Sequence, residues 1–246
     1  MSTANFRPCA VVPTFNHVRV LGHIIGRLRA EGLAVIVVDD GSGPAEAARI
    51  AEICSGHADV SLCRHARNHG KGAAIATGLT HAVAQGYSHA LQADADGQHD
   101  LAQITTLLML GSAHPNALIC GVPAYDSSVP RARKIGRWVT HIWVAINTLS
   151  PKIIDSMCGF RLYPLAATCA ILQQGRFAKA MGFDTEILVR LKWAGTPVIT
   201  TPVAVTYPAG NHSNFRLWRD NADISLMHAR LFFGMLRHLP QRLRAR

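Results

Sequence analysis

The stretch Asp94-Ala95-Asp96-Gly97-Gln98-His99-Asp100 follows the short apolar run His89 to Ala93 and is the most informative part of the chain. Alternate residues leaving a strand in extended conformation project the same way. Asp94, Asp96 and Gln98 are therefore expected to offer three oxygens to one hard cation. Mg²⁺ and Mn²⁺ favour such ligands and keep positions open for water and diphosphate oxygens. A bare Asp-x-Asp also suits an ordinary surface turn, and the buried strand before it is what favours a metal here. Two further polar clusters end apolar runs: Pro13-Thr14-Phe15-Asn16-His17 after Cys9 to Val12, and Asp39-Asp40-Gly41-Ser42-Gly43 after Val35 to Val38. Ligands of an open parallel sheet bind beyond the carboxyl ends of its strands. Clusters at neighbouring strand ends would converge on one crevice.

The elements that must carry these clusters alternate. Leu21, Ile24, Ile25 and Leu28 fall at helical spacing, and so do Ala47, Ile50, Ala51 and Cys54. Val35 to Val38, all β-branched, reads as a strand buried on both faces. Val60 to Cys63 reads as a strand, Ala73 to Ala84 as a helix of small residues, His89 to Ala93 as a strand, Leu101 to Leu110 as a helix and Ala117 to Cys120 as a strand. This rhythm predicts a mostly parallel sheet with helices on both faces. Beyond Gly121 it changes. Lys134 to Leu149 reads as a basic amphipathic helix, and Cys158 to Tyr163 leads into a helix stopped near Gly175. Asp184 is expected to cap a helix ending at Gly195 and Pro197, with a strand from Val198 to Tyr207 and a last helix from about Phe215. The expected division is one catalytic domain over residues 1–223 and a basic amphipathic helix or tail over 224–246.

Composition narrows the class further. Of the 246 residues 49% are hydrophobic and 16% charged, which supplies a core and excludes a disordered chain. The charge-free stretch Trp138 to Pro151 is shorter than a membrane span, and Met1 to Pro8 lacks the apolar core of a signal peptide. The expectation is a cytoplasmic protein without a transmembrane helix. The six cysteines contain no Cys-x-x-Cys pair and read as buried free thiols. His65 and His69 are spaced like ligands, but no second pair completes a zinc site. Asn68-x-Gly70-Lys71-Gly72-Ala73-Ala74 lacks the Gly and the Ser or Thr that a Walker A loop places at 65 and 72. Gly41-Ser42-Gly43 does not complete a dinucleotide fingerprint. Lys71 is left as a residue able to reach an anionic ligand.

The net charge of +10 has a location. Arg131, Arg133, Lys134, Arg137 and Lys152 lie between Asp126 and Asp155 with no acid among them. Arg230, Arg237, Arg242, Arg244 and Arg246 follow Asp223, again with none. Interleaved with Trp138, Trp143, Phe232 and Phe233, they suit an anionic lipid surface. Solvated helix faces are the bland alternative, and a nucleic-acid binder is disfavoured because no recognisable motif accompanies the charge.

Taken together these segments resemble the family 2 glycosyltransferases, most closely the dolichyl-phosphate mannose synthase-like, polyprenyl-phosphate sugar synthase branch. The matching segments are 11–16, 37–42, 68–74 and 94–100, then Asp155 to Arg161, Gly182 to Glu186, and Tyr207-Pro208 with Ser213 to Arg216. The resemblance implies a GT-A fold, a UDP- or GDP-sugar donor, Mg²⁺ or Mn²⁺, and inverting transfer. It implies that Pro13, Phe15 and Asp40 hold the nucleoside, Asp40 reading a base edge, and that Asp94, Ala95, Asp96 and Gln98 hold donor and metal. It places Arg161 near the donor phosphates, Arg216 in a segment closing over them, and Asp184 and Glu186 at a helix start facing the acceptor. His17, Gly97 and Asn214 depart from common relatives and bear on the donor's base and sugar.

The reaction so implied is displacement at the anomeric carbon with a nucleoside diphosphate leaving. A lipid phosphate acceptor is already anionic, whereas a hydroxyl needs a base, for which Asp184 and then Glu186 are the candidates. Asp184 as a plain helix cap and Arg161 paired with Asp155 are the structural alternatives. Lipid-linked acceptor and basic segments together predict peripheral association with the inner membrane face. A sugar-phosphate nucleotidyltransferase, which would release diphosphate, and a non-catalytic nucleotide-sugar or lipid binder are the rival functions.

Overall fold

The computed structural model describes residues 6–98, 100–124, 131–151, 153, 155–204 and 217–244. Strand β1 (Pro8–Thr14) leads to α1 (Leu21–Ala30), β2 (Ala34–Asp39), α2 (Pro44–Ser55), β3 (Val60–Arg64), α3 (Lys71–Ala84) and β4 (His89–Gln92). A 3₁₀ turn at Leu101–Gln103 opens α4 (Ile104–Ala113), followed by β5 (Leu118–Ala124) and α5 (Arg131–Thr148). The chain continues with β6 (Arg161–Pro164), α6 (Leu165–Leu172), α7 (Phe183–Trp193), β7 (Val198–Ala204) and α8 (Leu217–Arg244). The strands form one sheet in the order β3-β2-β1-β4-β6-β5-β7. Only β6 runs antiparallel to its neighbours β4 and β5.

The period-2 alternation of strand side chains sorts the core into two layers. On β1, Ala10 and Val12 join Leu21, Ile24, Ile50, Ile104 and Leu107 on the face covered by α1, α2 and α4. Cys9 and Val11 point the other way, against Ile75 and Leu79 of α3 and, further out, Leu188 of α7 and Met227 of α8. Helices therefore cover both faces, as the alternating pattern predicts. Because β1, β2 and β4 are parallel, they deliver Thr14, Asp39 and Gln92 to the same edge. The antiparallel β6 begins there instead, with Arg161 opposite Gln92.

Three expectations change. Helix α8 runs unbroken through 223/224 and buries Met227, Leu231 and Met235, so the expected domain boundary falls inside one helix that belongs to the core. The N-cap of α7 is Gly182, which places Asp184 inside the first turn rather than at the cap. Strand β7 is described only to Ala204. Tyr207 and the segment carrying Arg216 lie outside the described residues.

Candidate functional site

Lys71, the first residue of α3, reaches two carboxylates from different parts of the chain. Its Nζ lies 2.7 Å from Asp94 Oδ2, just past β4, and 3.3 Å from Asp184 Oδ2 in the first turn of α7. Burial works against the ammonium's charge, but Asp184 and Asp94, with Asp96 beyond them, more than offset it and raise the pKa. Lys71 thus stays charged and pins both carboxylates.

Gln92 fixes the same carboxylates from behind. The buried Tyr163 hydroxyl donates to Gln92 Oε1 at 3.0 Å, and burial holds that phenol in its protonated, donating form. The amide's nitrogen must then face the acids, donating to Asp184 Oδ1 at 3.2 Å and Asp94 Oδ1 at 3.4 Å. Neither Gln92 nor Tyr163 stands out in the sequence. The available signal is a Gln closing the short, fully buried strand His89–Gln92.

The turn after β4 differs from its expected extended form. Residues 95–97 bend, with Gly97 at φ +70°, a value that side-chain-bearing residues rarely adopt. Asp96 Oδ1 accepts the Gln98 N–H at 3.0 Å. Asp94, Asp96 and Gln98 are thus not strung along one face, because the chain turns between them. Among the described residues no group of three His, Cys, Asp or Glu side chains forms a ready-made metal cage. Two half-buried carboxylates are nevertheless the protein share that Mg²⁺ uses when substrate phosphates and water complete its shell. Asp94 and Asp96 fit that donor set.

Asp40 does not present a vacant carboxylate to the crevice. Its Oδ1 accepts the His69 N–H at 2.9 Å and lies 2.7 Å from His65 Nδ1, and its Oδ2 accepts the Gly70 N–H at 2.7 Å. It ties the end of β2 to the loop that positions Lys71. Its neighbour Asp39 accepts the Ser42 N–H. Asn16 receives Gly43 N–H on its Oδ1 and donates its own backbone N–H to Ser42 Oγ, which stitches the β1 and β2 loops together. Pro13 is buried at the end of β1, with Phe15 half-buried beyond it and Ala95 buried in the β4 turn.

Arg161 and Glu186 lie behind the site rather than in it. Arg161 is 0% exposed and donates to the carbonyls of Cys158, Asp184 and Ser156, so its guanidinium is spent on backbone and does not face the crevice. It does not pair with Asp155, whose partner is Arg137. Glu186, also fully buried, accepts the Ala178 N–H at 2.7 Å and pairs with Arg190 at 2.5 Å and Arg230 at 3.3 Å. It has no room to face an acceptor. Cys158 packs beside the cluster, and burial pushes its thiol up to about 12, which leaves it unreactive as a nucleophile.

A sheet of this order, with acidic turns at the ends of β2 and β4 and a third acid brought in by α7, is that of a GT-A glycosyltransferase. Residues 9–174 match the model described as Glycosyl transferase family 2, and the chain belongs to that family. It is 28% identical over 207 residues to an undecaprenyl-phosphate mannosyltransferase from Micrococcus luteus, covering 80% of this chain and 82% of that one. It is 31% identical over 212 residues to a polyprenol monophosphomannose synthase from Mycolicibacterium smegmatis, covering 81% and 77%. Among solved structures, glucosyl-3-phosphoglycerate synthase from Mycobacterium tuberculosis in complex with Mn²⁺, UDP-glucose and phosphoglyceric acid superimposes with a TM-score of 0.66. The sequences are 15% identical, and the match covers 96% of this chain and 80% of that one. At that identity it establishes the fold alone.

Proposed function

We propose that this protein is an inverting hexosyltransferase that moves a sugar from a UDP- or GDP-sugar to a lipid-linked acceptor, polyprenyl phosphate before a lipid hydroxyl. It would work at the cytoplasmic membrane face. The observation that carries this reading is the meeting of Asp94 and Asp184 on Lys71 at the carboxyl edge of the sheet. The two lipid-phosphate mannosyl relatives, each matched over about four fifths of this chain, support the acceptor class. The six cysteines are free thiols, as a reducing compartment allows.

The residues divide the work by position. Asp94 and Asp96 would hold Mg²⁺ or Mn²⁺, which when bound supplies positive charge to the leaving diphosphate. Pro13, Phe15 and the Asp40-braced loop line the nucleoside end, with Ala95 and Lys71 beside the phosphates. Asp184, held by Lys71 and Gln92, faces the sugar's acceptor side. A phosphate acceptor attacks the anomeric carbon as an anion, and Asp184 then orients it. A hydroxyl acceptor would give its proton to Asp184. Arg161 acts as a positioning residue, because it holds the Asp184 backbone carbonyl.

The test is transfer from labelled UDP- and GDP-sugars to polyprenyl phosphate in detergent, with and without Mg²⁺ or Mn²⁺. Glycolipid formation with release of a nucleoside diphosphate is expected. Release of diphosphate from a nucleoside triphosphate and a sugar phosphate, with no glycolipid, would make the protein a nucleotidyltransferase.

A further inference from the structure

His65 and His69 share a spacing that suits a metal, yet the structure gives His65 other work. Its Nδ1 lies 2.7 Å from Asp40 Oδ1 and its Nε2 lies 2.9 Å from Thr77 Oγ1. An ionised carboxylate only accepts, so Nδ1 carries a proton and donates it to Asp40. Both ring nitrogens are thereby engaged, and neither is left for a metal ion. The His69 ring packs edge-on against that of His65, with the centroids 5.3 Å apart.

The His65 ring joins three elements that meet beside the carboxylate cluster. Asp40 follows β2, His65 follows β3, and Thr77 stands about two turns into α3. The His65 backbone is fixed as well, because its N–H donates to the Asp39 carbonyl at 2.9 Å. The side chains of His65 and Asp40 are only 16% and 3% exposed, so their bond is made largely out of water, where it is stronger.

From Asp40 the contacts lead directly to Lys71. The carboxylate takes the backbone N–H groups of His69 and Gly70 at 2.9 and 2.7 Å. Gly70 is the N-cap of α3 and has no side chain to offer the helix, and Lys71 is the first helical residue. Asp40 supplies from outside the helix the acceptor and the negative charge that an N-terminus favours. The packing around the loop leaves no slack. Gly70 sits at φ +98°, and a Cβ there would stand 2.4 Å from the Lys179 carbonyl oxygen. A Cβ on Gly41 would stand 2.3 Å from the Arg67 carbonyl carbon. Where the first turn of α3 begins decides whether Lys71 Nζ reaches Asp94 at 2.7 Å and Asp184 at 3.3 Å.

We propose that His65 is a positioning residue of the transferase: by holding Asp40 it fixes the start of α3 and keeps Lys71 on the two carboxylates of the site. It acts through Asp40 and Lys71 rather than on the reacting atoms. The proposed function supplies the catalytic consequence, while the latch itself rests on the contacts alone.

The test compares His65→Phe, which keeps a ring but removes both nitrogens, with His65→Asn, whose amide still donates to Asp40 from near the Nδ1 position. One readout is acetylation of Lys71 by acetic anhydride, followed by peptide mass spectrometry. The other is kcat and KM for transfer from labelled UDP- and GDP-sugars to polyprenyl phosphate. In the wild type Lys71 acetylates slowly, because Asp184 and Asp94 keep the ammonium protonated. In His65→Phe that rate rises about tenfold, the equivalent of one pKa unit. Lys192, at the far end of α7, keeps its rate, which separates local release from general loosening. The same variant loses about 10- to 100-fold in kcat/KM, the scale of a misplaced catalytic group. His65→Asn recovers most of both changes. Thr77→Val removes only the second partner, moves both readouts the same way by less, and carries the test if His65→Phe does not fold. Wild-type acetylation of Lys71 in His65→Phe overturns the proposal, as does a His65→Asn enzyme no better than His65→Phe. So does Thr77→Val with both readouts unchanged. Release of Lys71 in His65→Phe, with a wild type that transfers no sugar, would sink the proposed function and leave the latch standing.

Discussion

Gly159 and Asp94 approach so closely that no side chain fits between them. A Cβ on residue 159 would stand 2.6 Å from Asp94 Oδ2, and also 2.7 Å from Gln92 Nε2 and 2.9 Å from Lys71 Nζ. The loop before β6 is thus the back wall of the carboxylate cluster. Asp155 secures that loop by accepting the Met157 and Cys158 N–H groups at 2.8 and 2.9 Å.

Gly159→Ala is accordingly expected to displace Lys71 or Asp94, since the atoms the new methyl meets are the polar ends of the Asp94, Gln92 and Lys71 side chains. Overpacking of this kind costs about 1–3 kcal/mol. Transfer should fall by at least about tenfold with a smaller change in fold stability, read from turnover and urea denaturation on the same sample. A fully active Gly159→Ala enzyme would show that the three polar groups are not held where they stand.

Asp184→Asn keeps the shape of the side chain and removes the charge that faces Lys71. Donor affinity, measured by calorimetry with a UDP- or GDP-sugar, should change little, because Asp94 and Asp96 remain. Turnover should drop by about 100-fold, the usual scale for a group acting on the proton or the attacking atom. Equal losses in donor binding and turnover would move Asp184 to the donor side.

The fold was legible because its two periodicities are clean. Ala10/Val12 against Cys9/Val11, and Leu21, Ile24, Ile25 and Leu28, sort themselves by spacing, and the strand ends carry their polar clusters openly. The roles of Arg161 and Glu186 were not legible. Whether Arg161 faces the crevice or the interior depends on β6 running antiparallel and pairing it with Gln92, which spacing along the chain does not encode. Glu186 is two residues from Asp184, which on a helix turns it to nearly the opposite side, and its carboxylate is claimed by Arg190 four residues on and by Arg230 from a helix 44 residues away. The alternation of Asp94, Asp96 and Gln98 failed at Gly97, where a positive φ turns the chain.

Glu186 is expected to matter for stability more than for chemistry. It is a fully buried carboxylate that serves a backbone amide and two arginines, both of them partly exposed. Glu186→Ala should cost about 2 kcal/mol, in the range for charged hydrogen bonds left unmade. Glu186→Gln, which still accepts from Ala178, should recover part of that loss. Urea midpoints of the two variants check the order. If Glu186→Gln abolishes turnover without loss of stability, the carboxylate acts on the acceptor after all.

His228 gives the fold a dependence on pH. Burial against Trp143 pulls its pKa down to about 4, and its Nδ1 lies 3.4 Å from Asn147 Nδ2. Its ordinary value is about 6.5. The unfolded chain therefore takes up a proton first as pH falls, and stability contributed by the neutral ring is present above about 6.5 and lost progressively down to about 4. Between pH 7 and pH 5 that loss is about 2 kcal/mol, and His89 and His141, which burial also shifts downward, add to it with the same sign. Replacing the ring with a group that does not titrate, as in His228→Gln, should shrink the difference in unfolding free energy between the two pH values by about that amount. An unchanged difference would mean that the ring accepts its proton inside the folded protein, with α5 and α8 parting enough to hydrate it.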